Sequence, residues 1–502
     1  MLNKSRELFE EWNSNNVSYC HWKGNDHLME GLEGRTDLDI LLASDDREKG
    51  CSILEETGFV KFQSQYGSRY HDIEDWIGFD PSSGCLLHIH LHYALIAGHS
   101  GLNEYELPWN EYALKSRILE PISGVYIMNP NLELVCLYTR LILKANRSWV
   151  KSARRGDFHM DNHFDREINY IRQQVDWDCV REIASRYYGG DGPVFCDITR
   201  AKILDSFLFL KLYDIVNSKF DGKKRYHGLS LSIRKAFCPL AVSFRNKLKQ
   251  LGNDTLIVRK VVSPQKGFSV AFIGQDGSGK STLTEDIKKW LTWKIEANRF
   301  YLGSGDGYHS ITKLLIERGV LLTNRVKGRN QHEKGKKSDS NGKKSFVTSI
   351  VVSWNMLMIA RHSYRVMHKA EKYRNKGGIS LLDRFPQMQF EGIYDGPRIA
   401  DYCQKHECGF LLNRIMAKRE LYYFSKIQKW QPTLVFKLLL SPEESIHRKP
   451  FEDIDNVRKK HKITRELSFP YSAVFEIDAA QDYQQELITV KSKIWETLFQ
   501  VR

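Results

Sequence analysis

The chain has 502 residues, of which 41% are hydrophobic and 27% are charged, a composition typical of a folded globular protein. At about 150 residues per domain this length predicts roughly two to four domains, which excludes a single small binding module. The longest apolar run, 346–360, is shorter than the ~20 residues that span a bilayer, and the nine cysteines form no Cys-x-x-Cys pair. We therefore expect a cytoplasmic protein without a transmembrane helix.

The first 128 residues predict a small domain that mixes strands and helices. Two strands are expected at 17–21 and 36–42, and the second carries Asp37 and Asp39. Carboxylates two residues apart on a strand point to the same face, where they can hold a divalent metal. A later predicted strand, 86–95, carries no Asp or Glu but has three alternating histidines, His88, His90 and His92.

These strands resemble the nucleotidyltransferase superfamily, whose first strand ends in a Gly-Ser turn and whose second bears Asp-x-Asp. Here Lys23-Gly24 replaces the Gly-Ser turn, and His90 stands where the family has its third carboxylate. The resemblance implies an α+β nucleotidyltransferase-like domain over 1–128. Two interpretations stay open: a remodelled metal site of Asp37, Asp39 and His90, or a fold that has kept its shape and lost part of its chemistry.

A helical extension is predicted for 129–216, because apolar residues recur there at helical spacing, as at Leu134, Leu137, Leu141 and Ile142. A basic linker follows at 217–265. The net charge of +14 is concentrated in two segments, since 219–249 has nine Lys or Arg against one Asp and 322–345 has eight against two acids. The second segment predicts a flexible insertion, and its scarcity of aromatic residues gives little support for stacking on nucleic-acid bases. Nucleic acid is therefore a less favoured partner.

From residue 266 onward, apolar strands alternate with helices. The predicted strands are 268–273, 379–382, 434–440 and 474–477, with a closing helix after the last. Continuous apolar strands separated by helices indicate a buried parallel sheet with helices on both faces, which makes this region an α/β domain.

A phosphate-binding motif lies between the first of these strands and a helix expected at 282–295. Residues 274–282 read GQDGSGKST and satisfy GxxxxGK[ST] in the strand-loop-helix context that the motif requires. In such a loop, backbone N–H groups surround an anion, the lysine reaches the β- and γ-phosphates, and the serine can hold Mg²⁺. The sequence therefore predicts ATP and Mg²⁺ as cofactors, bound by Gly274, Asp276, Gly277, Ser278, Gly279, Lys280, Ser281 and Thr282.

The loop resembles that of thymidylate kinase and its relatives among the nucleoside monophosphate kinases, which carry an acidic residue inside it. Three later matches follow in family order: LLDRF at 381–385, SPEE at 441–444 after a strand, and FEIDA at 475–479. The resemblance covers about 266–500 and implies a kinase that transfers the γ-phosphoryl group of ATP.

The same resemblance implies roles for individual residues. Asp383 would bind Mg²⁺ through water or orient the acceptor, Arg384 would hold the acceptor phosphate, and Asp276 would face the acceptor hydroxyl. A lid should supply cations over the donor phosphates, and the candidates are Arg448, Lys449, Arg458, Lys459 and Lys460.

The acceptor is less defined. Where thymidylate kinase has an acceptor loop of the Arg-Glu-Pro-Gly-Gly-Thr kind, 301–307 reads YLGSGDG and lacks the arginine and the proline. This favours a nucleotide-like or other small phosphorylated acceptor over thymidylate itself. Two alternatives remain: an ATP-binding switch whose basic segments contact nucleic acid or a protein, and nucleotidyl transfer by the N-terminal domain.

Overall fold

The computed structural model describes residues 1–64, 72–99, 102–159, 162–220, 222–225, 228–252, 254–264, 266–303, 346–393, 395–408, 410–448 and 454–501. The chain divides into two compact units. Unit 1 comprises Met1–Asn253, Val258–Ser263 and Trp495–Arg502, and unit 2 comprises Asp254–Ile257 and Pro264–Ile494. Both contain helices and sheets, which confirms a mixed α/β protein. The basic insertion expected at 322–345 lies outside the described residues, as does Lys449.

Unit 1 contains a seven-stranded mixed sheet. Its strands are β1 (Tyr19–His21), β2 (Asp37–Leu42), β3 (Val60–Phe62), β4 (Ile73–Asp80), β5 (Cys85–His92), β8 (Ile118–Leu119) and β9 (Tyr126–Ile127). Their spatial order is β3-β4-β5-β2-β1-β9-β8. A separate two-stranded sheet pairs β6 (Ile96–Ala97) with β7 (Tyr105–Glu106). The strands predicted at 17–21, 36–42 and 86–95 correspond to β1, β2 and β5.

Alternation along β2 decides which side chains meet. Leu38, Ile40 and Leu42 enter one apolar core together with residues of the N-terminal helix, so Asp37 and Asp39 point to the opposite face. β2 runs parallel to β5, and β4 runs antiparallel to β5. This pairing places Asp39 opposite His90, and His90 opposite Asp75 on β4. A row of ionisable side chains therefore crosses three adjacent strands.

Eleven described α-helices lie entirely within unit 1, and six of them begin within 129–216, where a helical extension was expected. They are α1 (Asn3–Ser14), α2 (Leu28–Leu32), α3 (Arg47–Glu56), α4 (Asn110–Lys115), α5 (Pro130–Lys144), α6 (Arg147–Arg154), α7 (Asn162–Arg172), α8 (Trp177–Tyr188), α9 (Gly192–Arg200), α10 (Ser206–Phe220) and α11 (Gly228–Gln250). The Asn129 side chain caps α5 by accepting a hydrogen bond from the Asn131 N–H. α5 is buried along nearly its whole length and forms the centre of a second core. The expected linker at 217–265 thus contains a helix, α11.

Unit 2 contains a five-stranded sheet in which every strand pairs in parallel. Its strands are β10 (Ser269–Gly274), β11 (Ala297–Tyr301), β12 (Ile379–Asp383), β13 (Leu434–Leu439) and β14 (Ala473–Asp478), in the order β11-β12-β10-β13-β14. The parallel sheet expected from the apolar runs is confirmed. β11 is an additional strand that the apolar pattern did not indicate, because Asn298 and Arg299 interrupt it.

Helices connect these strands. They are α12 (Lys280–Thr292), α13 (Phe346–Arg374), α14 (Ile399–Lys405), α15 (Leu411–Ile427), α16 (Pro442–Arg448), α17 (Ile454–Glu466) and the last helix, α18 (Tyr483–Val501). Within the described parts of the chain, no helix combines the length and apolarity needed to cross a bilayer. Since β10 and β12 are parallel neighbours, the loop after β10 and the Asp383-Arg384 pair at the end of β12 meet at the same edge of the sheet.

Candidate active site

The glycine-rich loop connects β10 to α12 as the motif predicted. Gly277 and Gly279 have φ values of 84° and 82°, in the left-handed region that favours glycine. A side chain at Gly274 would bring Cβ within 2.6 Å of the Ser278 hydroxyl and 2.7 Å of the Leu438 carbonyl oxygen. The loop therefore needs glycine at 277 and 279 for conformation and at 274 for close packing.

Lys280 is folded back into this loop. Its ammonium donates hydrogen bonds to the carbonyl oxygens of Gly274, at 2.8 Å, and Gln275, at 2.7 Å. Burial lowers the pKa of Lys280 to about 8, and repulsion from Arg384 acts in the same direction. The loop thus encloses a cation at the N-terminus of α12, where an anionic ligand is also favoured by the helix dipole.

Asp383 lies at the end of β12, fully buried, beside Ser281. The Ser281 hydroxyl donates to Asp383 Oδ2 at 2.9 Å, and Arg299 from β11 pairs with the same oxygen. The other oxygen, Oδ1, is buried and has no hydrogen-bond partner among the described residues. A buried carboxylate oxygen without a partner is unfavourable. Carboxylate and hydroxyl oxygens are ligands that Mg²⁺ prefers, so this pair fits the predicted magnesium site.

Asp276 is held between two cations. Its carboxylate contacts Arg384 Nη2 at 3.0 Å and Lys460 Nζ at 2.5 Å. Burial opposes ionisation, but the hydrogen bond from Lys460 and the charge of Arg384 outweigh it and hold the pKa of Asp276 well below its ordinary value. Arg384 also pairs with Asp395 at 3.4 Å and adopts a left-handed backbone conformation with φ of 73°, which is uncommon for a residue other than glycine.

Of the four lid candidates that the structure describes, two contact the loop. Lys460, on α17, reaches Asp276, and Arg448, at the end of α16, donates to the carbonyl oxygens of Gly277 at 3.4 Å and Ala479 at 3.0 Å. Arg458 instead lies 3.8 Å from Glu443, and Lys459 is exposed. Lys449 lies outside the described residues.

A second cluster of ionisable groups lies in unit 1, where the structure brings the predicted Asp37, Asp39 and His90 together. His90 Nδ1 lies 3.4 Å from Asp39 Oδ1, and His90 Nε2 lies 3.9 Å from Asp37 Oδ2 and 3.2 Å from Asp75 Oδ1. Burial disfavours the charged imidazolium, but the hydrogen bonds to Asp39 and Asp75 outweigh it and raise the pKa of His90 to about 9. Burial lowers the pKa of His92 to about 4.

A cavity of about 620 Å³ opens above this cluster. Asp39, Asp75, His90 and His92 line it on one side. Five cationic side chains also line it: Lys23, Lys61, Arg140, Lys144 and Lys260. Lys23 Nζ lies 3.0 Å from Asp39 Oδ1, and Lys260 Nζ lies 3.6 Å from Asp75 Oδ1. The cavity therefore presents carboxylates, imidazoles and ammonium groups to the same space.

Sequence reasoning missed several of these residues. Asp75 lies on β4 opposite His90, and only the pairing of β4 with β5 reveals this. Arg299 and Asp395 were missed because they lie outside every recognised motif. The stretch 297–301 gave no strand signal, because Asn298 and Arg299 interrupt its apolar residues.

Comparisons with known proteins give a distant likeness. No protein-family model matches the chain. Over 243 residues it is 28% identical to the uncharacterized ATP-binding protein YghR of Escherichia coli (strain K12), covering 47% of this chain and 90% of that relative. It is 26% identical over 215 residues to the uncharacterized ATP-binding protein YghS of the same strain, covering 42% and 84%. Among solved structures, deoxyadenosine kinase from M. mycoides with bound dATP is 13% identical, with a TM-score of 0.26, covering 45% of this chain and 98% of that one.

Proposed function

We propose that unit 2 is an ATP-dependent P-loop kinase, similar to thymidylate kinase, that phosphorylates a nucleotide-like or other small phosphorylated acceptor. One observation carries this proposal: the Lys280 ammonium and the Ser281–Asp383 pair lie together where a glycine-rich loop enters α12. Phosphoryl transfer depends on positioning and charge neutralisation more than on covalent help from the protein. The names of YghR and YghS, both ATP-binding proteins, support ATP as the donor.

The loop accounts for donor binding. Its N–H groups and the N-terminus of α12 would surround the phosphates, and Lys280 would exchange its two carbonyl partners for phosphate oxygens. Ser281 and Asp383 would hold Mg²⁺, whose charge neutralises the phosphates when it is bound. Arg299 pairs with the same oxygen of Asp383 that accepts from Ser281, Oδ2, and this leaves Oδ1 for the ion.

Arg384 and Lys460, the two cations beside Asp276, would assist transfer of the phosphoryl group to the acceptor. An acceptor oxygen forms a bond to the γ-phosphorus while the bond to the β–γ bridging oxygen breaks, and ADP leaves. Arg384 and Lys460 are paired with Asp276, so an incoming phosphate competes with that carboxylate for both. The ion pairs keep the two cations beside the loop before substrate arrives.

The test is transfer of label from γ-labelled ATP, with Mg²⁺, to a panel of nucleoside monophosphates, nucleosides and sugar phosphates. We expect one class of acceptor to be labelled by the wild-type protein and not by Lys280→Ala. Lys289→Ala is the matched control, because Lys289 lies on the same helix, is 71% exposed and pairs only with Asp286 at 3.7 Å in the described structure. ATP binding that requires Lys280, with no transfer to any panel member, would contradict the kinase and support the ATP-binding switch.

A second candidate function, nucleotidyl transfer by unit 1, is favoured by the cavity of about 620 Å³ that combines Asp39 and Asp75 with five cations. We propose a nucleotidyltransferase-like fold for this unit on the basis of Asp-x-Asp on β2. Release of pyrophosphate from ATP that disappears in an Asp37→Ala/Asp39→Ala double variant would support this activity. Equal release by the double variant would remove it.

A further inference from the structure

Three donor groups converge at the cavity side of the unit 1 sheet. Asp39, His90 and His92 each offer one ligand atom, and these atoms all lie within 4.8 Å of one another. Asp39 Oδ1 is 3.4 Å from His90 Nδ1 and 3.0 Å from His92 Nε2. Ligands bound to a tetrahedral or octahedral ion at about 2.0–2.2 Å lie roughly 3–3.6 Å apart. The two distances from Asp39 Oδ1 to the histidine nitrogens are therefore those of the edges of a metal site.

A carboxylate orients His90 from the other side of its ring. His90 Nε2 lies 3.2 Å from Asp75 Oδ1, so Nδ1 is the nitrogen that faces Asp39. His88 in turn spans Asp75 and Asp37, at 3.1 and 2.8 Å. Metal-binding histidines almost always pair their second nitrogen with a carboxylate or carbonyl group, which fixes the ring. Asp75 and His88 are therefore placed to orient His90 if it binds a metal, and Asp39, His90 and His92 are the candidate ligands.

The same three ligands line the cavity of about 620 Å³, whereas Asp37 and His88 do not line it. An ion at this position would be accessible and would keep coordination positions open toward the space that the five cations surround. Lys23 Nζ lies 3.0 Å from Asp39 Oδ1. This ammonium group neutralises the carboxylate in the structure without an ion, and a bound metal would take over that role.

We propose that unit 1 binds one transition-metal dication through Asp39, His90 and His92, with open positions facing the cavity. Two imidazoles and one carboxylate select ions such as Zn²⁺, Co²⁺, Mn²⁺ or Fe²⁺, whereas Mg²⁺ and Ca²⁺ prefer sites made only of oxygen ligands. The site is distinct from the magnesium site proposed at Ser281 and Asp383, and it requires no catalytic activity of unit 2.

The experiment titrates the full chain with Co²⁺ in excess Mg²⁺, so that an oxygen-ligand site such as Ser281–Asp383 is already filled. Calorimetry gives the stoichiometry, and the visible d–d absorption of Co²⁺ reports its coordination. We expect one equivalent in the wild type and its loss in His90→Gln, in His92→Gln and in Asp39→Asn. Asp75→Asn should weaken binding by about 10–100-fold, because the histidine loses its orienting carboxylate. His99→Gln is the matched control, since His99 lies in the same unit and pairs with Glu104, and it should bind like the wild type.

Two results would overturn the proposal. One is the absence of Co²⁺ uptake by the wild type in excess Mg²⁺, and the other is unchanged uptake by His90→Gln and His92→Gln. Circular dichroism establishes whether each variant is folded. If the histidine variants unfold, pulsed electron paramagnetic resonance of the Mn²⁺-loaded wild type decides instead, because coordination by imidazole requires nitrogen couplings and their absence excludes these ligands.

Discussion

Arg384 combines three features in a single residue: a left-handed backbone, an ion pair to Asp276 and an ion pair to Asp395. The two carboxylates hold its guanidinium beside the loop without satisfying all five of its N–H donors. A planar donor group of this kind suits a phosphate, which accepts two parallel hydrogen bonds. We therefore regard Arg384 as the residue whose loss most clearly separates phosphoryl transfer from ATP binding.

Arg384→Ala should lower kcat/KM for the acceptor by about 10²–10³-fold and leave ATP affinity within a few-fold of wild type, because the proposed contact of Arg384 is with the acceptor phosphate and not with ATP. Steady-state kinetics with the labelled acceptor, together with nucleotide binding by calorimetry, measure both quantities. Arg458→Ala is the control, since Arg458 is exposed and faces Glu443. A fall in ATP affinity that accounts for the whole loss would contradict the role in transfer.

Burial of Glu133 in unit 1 should make the stability of the protein depend on pH. Burial raises the pKa of this carboxyl to about 8, although a hydrogen bond from Asn25 at 2.8 Å acts in the opposite direction. The folded protein therefore keeps a proton on Glu133 at pH values where the unfolded chain, with an ordinary pKa of 4.5, has lost it. Stability falls as the pH rises from about 4.5 to about 8, because the folded state binds more protons in that range.

Glu133→Gln should remove this dependence, since an amide does not titrate. Between pH 5 and pH 8.5 the free energy of unfolding of the wild type should fall relative to that of the variant by at most roughly 4 kcal/mol, at about 1.4 kcal/mol per pH unit up to the folded pKa of about 8. Denaturant unfolding at both pH values gives the difference. Glu111→Gln is the control, because Glu111 is exposed on α4. Parallel pH profiles for the Glu133→Gln variant and the wild type would show that Glu133 ionises normally.

Among the helices of unit 1, α5 is central, since it is buried on nearly all sides and its apolar residues enter a core shared with later helices.

Leu137→Ala should destabilise the protein by about 2–5 kcal/mol, because it removes a fully buried side chain and leaves a cavity. Leu119→Ala, at a position that is 51% exposed, should cost much less. Calorimetric melting of the two variants tests this. Equal shifts in the melting temperature would refute a central role for α5.

The same elements show what could be predicted from sequence. Strands with continuous apolar runs, such as β10 and β12, and a loop with a strict glycine pattern were predictable, because local chemistry determines them. β11 was not predictable, because its Arg299 pairs with the buried Asp383, which comes from a distant part of the chain. The position of Asp75 was not predictable either. It lies beside His90 because β4 pairs with β5, and strand pairing depends on the whole sheet. Local patterns therefore gave the phosphate loop and the two aspartates and three histidines of the unit 1 cluster, but not Asp75.

The whole chain carries a net charge of +14, which would favour binding to a polyanion such as nucleic acid. The proposed kinase site in unit 2 has cations suited to a small anion, since Lys280 is enclosed by loop carbonyls and Arg384 and Lys460 share one carboxylate. Contacts of this kind are partly buried and are screened less by salt than exposed charges are. Turnover on a small acceptor should therefore depend weakly on ionic strength.

Raising the salt concentration from about 50 to about 200 mM should change kcat/KM for the labelled acceptor by less than about tenfold, whereas a protein that contacts 6–10 nucleic-acid phosphates loses about 10³–10⁵-fold in affinity over the same range. Initial rates at both concentrations, with Mg²⁺ held constant, measure the ratio. The control is ATP binding by calorimetry under the same conditions, which separates an effect on the donor from one on the acceptor. A loss of 10³-fold or more, with ATP binding preserved, would indicate that the basic segments engage a polyanion and would favour the switch over the small-molecule kinase.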